Sequence, residues 1–144
     1  MDIGSIMKKE VVTVEMDDSL KTISQIFDNV KFHHLLVVSK NRLRGVISDR
    51  DLLKASSPFI NTLSEQSRDI AILNRPAHQI MSKKLVTTTK ETSLEDAVAL
   101  LLLRKVSCLP VISPDGQIEG IVTWRDIIKV YLLKLDIILQ GQSA

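Results

Sequence analysis

The sequence contains two copies of one pattern, and this internal repeat constrains the fold more than any other feature. A shift of 74 residues superimposes identical residues, and after one inserted residue the shift becomes 75. The inserted residue falls at Ser113-Pro114-Asp115-Gly116, a turn sequence in which changes of length are tolerated. The chain is therefore expected to fold as two related halves. The identical pairs are Ile6-Met7 with Ile80-Met81, Val12-Thr13 with Val86-Thr87, Ser19-Leu20 with Ser93-Leu94, Leu35 with Leu109, Val37 with Val111, Gly45 with Gly120, Arg50-Asp51 with Arg125-Asp126, and Lys54 with Lys129.

Each copy has the same predicted order of elements, β-α-β-β-α. A β-prone stretch comes first, and a helix follows with Ser19 or Ser93 as its N-cap. A hairpin of two strands then leads into a closing helix that begins near Asp49 or Trp124. The sequence predicts an α/β (α+β) fold in which two copies pack about a pseudo-two-fold axis, since one copy cannot bury its apolar sheet face alone. The predicted strands are 11–14, 34–39 and 43–48, then 85–88, 108–113 and 117–123.

The repeat divides the chain into 1–56 for the first copy, 57–75 for a connector and 76–144 for the second copy. The connector contains Thr62-Leu63-Ser64-Glu65, the spacing of a capping box, which predicts an extra helix over about 63–73. The second copy ends in an extended helix whose apolar residues exceed what its own closure needs. Core packing and a partner surface both explain that excess.

Composition and charge narrow the classes of function. The chain has 19 basic and 17 acidic residues and five aromatic ones, which argues against nucleic-acid binding. The single cysteine excludes an internal disulfide, and no apolar run approaches the ~20 residues of a membrane span. No signal peptide is visible, so a cytoplasmic protein with no membrane contact is expected. No metal-ligand spacing, nucleophilic triad, P-loop or dinucleotide fingerprint is present, so no enzyme is expected and no metal is assigned.

Three motifs carry a family resemblance. They are Ile-Met ahead of the first strand, Leu109-Pro110-Val111-Ile112 in the second strand, and Gly-x-x-Thr-x-x-Asp at Gly120–Asp126. Their order and duplication resemble a tandem cystathionine-β-synthase (CBS) domain pair, or Bateman module, over about 3–56 and 76–136. The first copy departs by having Leu36 where the pattern prefers proline.

The resemblance implies a free-standing regulatory pair rather than an enzyme. Such pairs bind an adenosine nucleotide (AMP, ADP, ATP or an adenosyl derivative) in the clefts between copies, with no obligatory cofactor. The resemblance also implies a homodimer and an unidentified regulated protein as partners. The alternative is a CBS-fold interaction or dimerisation module that binds no nucleotide.

The paired motifs Ser48-x-x-Asp51 and Thr123-x-x-Asp126 have two explanations. A hydroxyl N-cap followed by a first-turn carboxylate stabilises a helix start and requires nothing else. A ligand site uses the same geometry: the helix start attracts phosphate, and the carboxylate accepts hydrogen bonds from a ribose diol. Arg50 and Arg125 would add permanent positive charge for phosphate. A glycine three residues ahead in both copies favours the ligand explanation.

The resemblance adds two further groups of site residues. Residues on the first strands would hold adenine through backbone groups and a threonine side chain, although Val14 is better explained as a β-branched strand residue. Residues at the head of the second strands would line the cleft, although Cys108 is also explained as a small buried apolar residue. Neighbouring histidines in a strand point to opposite faces, so at most one faces a given ligand. The two groups are Thr13, Val14, Thr87 and Thr88, and His33, His34, Ser107 and Cys108.

Overall fold

The computed structural model describes residues 1–142 and shows a mixed α/β fold with two small sheets. A short 3-10 helix at Ile3–Ser5 precedes the first strand. The strands are β1 Thr13–Glu15, β2 His34–Ser39, β3 Arg42–Ser48, β4 Cys108–Ile112 and β5 Ile118–Thr123. The helices are α1 Leu20–Asn29, α2 Asp49–Ala55, α3 Ser67–Ile72, α4 Ala77–Ile80, α5 Leu94–Arg104 and α6 Trp124–Gln142.

The described chain forms two compact units whose boundaries differ from those of the sequence repeats. The first unit is Val12–Leu85, and the second unit joins Met1–Val11 to the chain from Val86 onward. The first ten or eleven residues of each copy therefore lie in the same unit as the rest of the other copy. We call these residues the opening segments.

Each opening segment is held by a pair of backbone hydrogen bonds to the last strand of its unit. In the second unit, the amides of Lys8 and Ile121 each donate to the other residue's carbonyl at 2.9 Å. In the first unit, Ser82 N donates to Val46 O at 2.9 Å and Val46 N to Ser82 O at 3.1 Å. The two units thus repeat the same local pairing, although the partners are exchanged between the copies.

A glycine at the equivalent point of each last strand allows this close approach. A Cβ on Gly120 would lie 2.6 Å from Lys8 O and 2.9 Å from Met7 Sδ. A Cβ on Gly45 would contact Met81 Sδ and lie 2.8 Å from its Cγ. Packing of the opening segments therefore accounts for both glycines. The glycines no longer favour the ligand explanation of the junctions over the helix-capping explanation.

The cores of both units are aliphatic and include the opening segments. Ile3 is fully buried in the second unit beside Leu94 and Leu109, and Ala77, its equivalent, is fully buried in the first. The hydroxyl of Ser19 accepts a hydrogen bond from Thr22 N, and that of Ser93 accepts one from Asp96 N, which confirms both predicted N-caps.

The sheets differ between the units because of one proline. In the first unit β1 pairs in parallel with β2, which pairs antiparallel with β3. In the second unit only β4 and β5 form a sheet, and the strand predicted at 85–88 is reduced to a single bridge between Thr88 and Val111. Leu36 N donates to Val12 O in the first unit, whereas its equivalent Pro110 has no N–H to donate. The prediction of a strand there was wrong for this reason.

The connector helix is present but shorter than predicted. It begins at Ser67 rather than near residue 63, because the Glu65 carboxylate accepts a backbone N–H of the preceding turn. At the observed start, Gln66 N donates to Asp69 Oδ2 at 2.8 Å. The capping box predicted over 62–65 is therefore wrong, and the N-terminal cap of the helix is the Asp69 carboxylate, a few residues later.

Helix α6 continues beyond its predicted end near Ile138 and is exposed along most of its length. Large apolar side chains on it are 46% to 69% exposed. Among the described residues, no helix is long and apolar enough to cross a membrane. The exposed apolar residues of α6 are Ile128, Tyr131, Leu132, Leu133, Leu135, Ile137, Ile138 and Leu139.

Candidate functional site

The first junction, Ser48–Asp51, joins β3 to α2 through a reciprocal capping box. Ser48 Oγ accepts from Asp51 N at 3.1 Å, and Asp51 Oδ2 accepts from Ser48 N at 2.9 Å. Among the described residues, Asp51 Oδ1 accepts no hydrogen bond, and the residue is half-buried. One carboxylate oxygen of Asp51 is therefore committed to the backbone, and the other is available to a ligand.

The second junction, Thr123–Asp126, joins β5 to α6 with a different arrangement. Asp126 Oδ2 accepts from both Thr123 N at 2.9 Å and Thr123 Oγ1 at 3.1 Å. The ammonium of Lys8 lies 3.7 Å from Asp126 Oδ1. Asp126 is only 6% exposed. Both of its oxygens are thus engaged, by the backbone and hydroxyl on one side and by a cation on the other.

The head of the second strand lies beside the junction in each unit. His34 is the ladder partner of Ser48, and Cys108 is the ladder partner of Thr123. The structure therefore brings together the predicted junction residues and the predicted strand-head residues, copy by copy. Cys108 is buried and His34 is half-buried.

The first unit carries two histidines and an aspartate at this point, where the second unit has Ser107, Cys108 and Trp124. His33 Nδ1 lies 2.9 Å from Asp49 Oδ2, and Asp49 N donates to His33 O at 3.0 Å. The hydrogen bond with His33 lowers the pKa of Asp49 below its ordinary value. Burial lowers the pKa of His34, and the nearby Asp49 carboxylate opposes that shift. The equivalents of His33 and Asp49 are Ser107 and Trp124, so no such pair exists in the second unit.

The remaining predicted site residues lie close to the junctions or on the first strands. Arg50 and Arg125 are exposed, and each immediately precedes the junction aspartate. Thr13 is exposed on β1 and pairs with Leu36, two residues beyond His34.

The first-strand positions differ in how accessible they are. Val14 is buried in the core of the first unit, which fits a structural role for its side chain. Thr88 is also buried, and its hydroxyl donates to Thr92 Oγ1 at 2.7 Å, whereas Thr87 is half-buried. The part of the chain that the structure describes contains no cluster of three or more His, Cys, Asp or Glu able to hold a metal ion.

Lys8 is the charged neighbour that sequence reasoning missed. It directly follows Ile6-Met7, a motif found by the repeat, but its distance of more than 100 residues from Asp126 hides the contact. The signal that could have found it is the difference between the copies, since Lys8 aligns with Ser82.

The CBS domain family matches residues 3–58 and 77–133, most of the chain. The chain belongs to the CBS domain family. Each matched segment contains one junction, and together they leave most of the connector outside the match. The resemblance to a tandem CBS domain pair, which rested on the three sequence motifs, is confirmed.

Curated relatives match most of this chain but differ in their own length. An uncharacterized 17.7 kDa protein of Acidianus ambivalens is 34% identical over 115 residues, covering 77% of this chain and 63% of that protein. A CBS domain-containing protein of Dictyostelium discoideum is 28% identical over 136 residues, covering 93% of both chains. Inosine-5'-monophosphate dehydrogenase of Nitrosopumilus maritimus is 28% identical over 86% of this chain, which spans 23% of that enzyme. The chain spans 48% of the uncharacterized protein MJ1225 of Methanocaldococcus jannaschii.

Two solved structures show the same fold and contain adenosine ligands. The CBS domain pair of MJ0100 in complex with 5'-methylthioadenosine and S-adenosyl-L-methionine has a TM-score of 0.77 at 21% identity, covering 93% of this chain and 98% of that one. CBSX2 in complex with AMP has a TM-score of 0.73 at 26% identity, covering 92% and 96%. These likenesses confirm the predicted fold class.

Proposed function

We propose that this chain is a non-enzymatic regulatory module that binds an adenosine ligand at its strand–helix junctions. The observation that carries the proposal is the duplicated junction, in which a hydroxyl residue, an arginine and an aspartate recur in the same order in both copies. It is supported by AMP bound to CBSX2, a CBS protein of the same fold.

The chemistry of each junction suits the parts of a nucleotide. A carboxylate accepts hydrogen bonds from the two hydroxyls of a ribose, as acidic residues do in dinucleotide folds. A guanidinium such as that of Arg50 or Arg125 remains charged at all physiological pH values and binds phosphate in a bidentate manner. Asp51 has an oxygen that is free for such a contact among the described residues.

The regulatory role would follow from differential binding. A ligand shifts a protein between two arrangements only by binding one of them better than the other. We infer that a partner protein reads the arrangement that the ligand favours, with no chemical step in this chain. The match within inosine-5'-monophosphate dehydrogenase supports a module of this kind, since the CBS pair is there a minor part of an enzyme.

The second candidate is an interaction module that binds no nucleotide. Two observations favour it: both junction aspartates already accept backbone hydrogen bonds, and both glycines are explained by the opening segments. The exposed apolar residues of α6 provide a surface for association, and we propose that two copies of this chain form a homodimer through it.

Thermal unfolding in the presence of ligand separates the two candidates. At a hundredfold excess over the dissociation constant, one site adds about 2.7 kcal/mol of stability. For a domain of this size, that is a rise in Tm of roughly 5–10 °C. AMP, ATP and S-adenosyl-L-methionine should be compared, and Asp51→Ala and Asp126→Ala together should remove the rise.

Asp96→Ala is the matched control, because Asp96 is a first-turn carboxylate three residues after its N-cap, as Asp51 is, but lies outside both junctions. It should lower the baseline Tm slightly and leave the ligand-dependent rise intact. If none of the three ligands shifts the wild-type Tm at millimolar concentration, the regulatory proposal fails and the interaction module replaces it.

A further inference from the structure

Lys8 makes the carboxylates of the two junctions unequal. Its Nζ lies 3.7 Å from Asp126 Oδ1, and the Asp126 side chain is 6% exposed. The residue at the same place in the first unit is Ser82, which carries no charge. The second unit therefore has a cation against the carboxylate that a ribose would need, and among the described residues Asp51 of the first unit forms no ion pair.

The two carboxylates differ in how many hydrogen bonds they can still accept from a diol. Each carboxylate oxygen offers about two lone pairs for hydrogen bonds. Oδ2 of Asp126 already accepts two, from the amide and the hydroxyl of Thr123. Oδ1 of Asp126 faces Lys8. A diol that approaches Asp126 must therefore compete with the ammonium for Oδ1, whereas at Asp51 it meets an oxygen without a competitor among the described residues.

We propose that Lys8 sets the affinity of the second junction by competing with a cis-diol for Asp126. This inference rests on the proposed function, because it concerns the same ligand. The side chain of Lys8 is 37% exposed, so its ammonium can move into solvent when a diol takes its place. Its backbone pairing with Ile121 does not depend on the side chain, so the opening segment stays in place. Binding at the second junction is consequently weaker than at the first.

Lys8→Ser tests the inference, since serine is the residue that the other copy uses. The second junction is isolated by Asp51→Ala, and the affinity of Asp51→Ala is compared with that of Asp51→Ala/Lys8→Ser by calorimetry. Two probes are used: AMP, and 5'-methylthioadenosine, which has the diol but no phosphate. Both should bind about two- to fivefold more tightly after Lys8→Ser, the range expected when a partly exposed ion pair no longer has to be broken.

The reciprocal change tests the first junction. In an Asp126→Ala background, Ser82→Lys should weaken binding of both probes, because it places a cation where the second unit has Lys8. Lys9→Ser is the control: it removes the same charge from the adjacent exposed position, and no contact between Lys9 and Asp126 is present. It should leave both affinities unchanged.

Each outcome decides the matter. Unchanged affinity after Lys8→Ser overturns this inference alone. So does a wild type that binds the probes while neither Asp51→Ala nor Asp51→Ala/Lys8→Ser does. Weaker AMP binding with unchanged 5'-methylthioadenosine binding shows that Lys8 holds the phosphate, and also overturns it. If neither the wild type nor any variant binds either probe, the proposed function is wrong, and this inference is wrong with it.

Discussion

The two junctions have the same backbone pattern but differ in their charged neighbours. In both, the aspartate accepts a hydrogen bond from the amide three residues earlier, at 2.9 Å in each case. In the first unit, a histidine–aspartate pair and a half-buried histidine lie beside the junction. In the second, a lysine lies against the aspartate, and Ser107, Cys108 and Trp124 take the places of His33, His34 and Asp49.

This difference shows which properties a repeat preserves. The backbone of the junction depends on residues within a short stretch, and in both copies the amide of the hydroxyl residue donates to the aspartate. Only the role of the hydroxyl differs: Ser48 Oγ accepts from Asp51 N, whereas Thr123 Oγ1 donates to Asp126 Oδ2. The charge environment depends on residues brought from elsewhere, namely the opening segment and the head of the second strand. Those positions can differ between the copies without altering the strand–helix turn. Each copy can therefore keep the same turn while acquiring a different affinity or pH response.

The largest expected difference between the units concerns α6 and its counterpart α2. Helix α6 is far longer and exposes eight large apolar side chains, whereas α2 exposes Leu53. Stable interfaces bury about 800 Å² on each partner, which a helix of this length and exposure can supply. We expect twice the chain mass of 16.1 kDa by light scattering, and half of that value for Leu135→Glu/Ile138→Glu.

Leu53→Glu, a similar change at an apolar side chain that is 77% exposed on α2, should leave the mass unchanged. A wild-type protein that is monomeric at tens of micromolar would contradict the dimer. Loss of the dimer in Leu53→Glu alone would move the interface to α2.

The opening segments provide the next largest effect. Ile3 and Ala77 occupy equivalent, fully buried positions, but only Ile3 fills a large volume. Ile3→Ala should lower the free energy of unfolding by about 2–5 kcal/mol, because it leaves a cavity in the second unit. Urea unfolding measures this loss. Leu63→Ala, at a fully exposed position, should have almost no effect, and a comparably small effect of Ile3→Ala would mean that the segment does not dock in solution.

The two glycines give a smaller and graded comparison. A Cβ at Gly120 would lie 2.6 Å from the backbone carbonyl of Lys8, whereas at Gly45 the equivalent carbonyl, Ser82 O, would be 2.9 Å away and the nearest atom would belong to the flexible side chain of Met81. Overpacking of this kind costs about 1–3 kcal/mol. Gly120→Ala should therefore destabilise the protein more than Gly45→Ala, as measured by urea unfolding. Gly141→Ala has open space around it and should not destabilise; equal losses at Gly45 and Gly120 would contradict the difference.

The smallest expected effect is a pH dependence that only the first unit has. Burial lowers the pKa of His34 from 6.5, so below that pH the unfolded chain binds more protons than the folded one. The free energy of unfolding should therefore be highest above this pH and fall as the pH drops through it. Urea unfolding between about pH 7.5 and about pH 5.5 should show the fall in the wild type and a smaller fall in His34→Gln. The same fall in His34→Gln as in the wild type would contradict this role of His34.

Much of the fold could be predicted because its signals are local. The hairpin strands, the starts of α2 and α6 and the N-caps at Ser19 and Ser93 follow from residues only a few positions apart. The strand predicted at 85–88 failed because its hydrogen bond depends on Pro110, which lies more than twenty residues away. The connector helix started late because the capping pattern over 62–65 had a competing local hydrogen bond.

The candidate site was predictable only in its repeated part. Ser48, Asp51, Thr123 and Asp126 were found by the motif, and the structure places the strand-head residues beside them. Whether the fourteen predicted site residues contact a ligand stays a prediction. The ion pair between Lys8 and Asp126 was not predicted, since no local pattern relates the two residues.

The sequence by itself determined the duplication, the order of elements in each copy and the turn that joins the last strand to its helix. These depend on periodicity, capping and turn residues, all of which act over a few positions along the chain. Only the tertiary structure decided that each opening segment packs with the body of the other copy, and hence that Gly45 and Gly120 lie against Met81 and Met7. It also decided that Lys8 faces Asp126, whereas the equivalent of Lys8 in the first unit is the uncharged Ser82, because electrostatic contacts depend on distance in space and not along the chain.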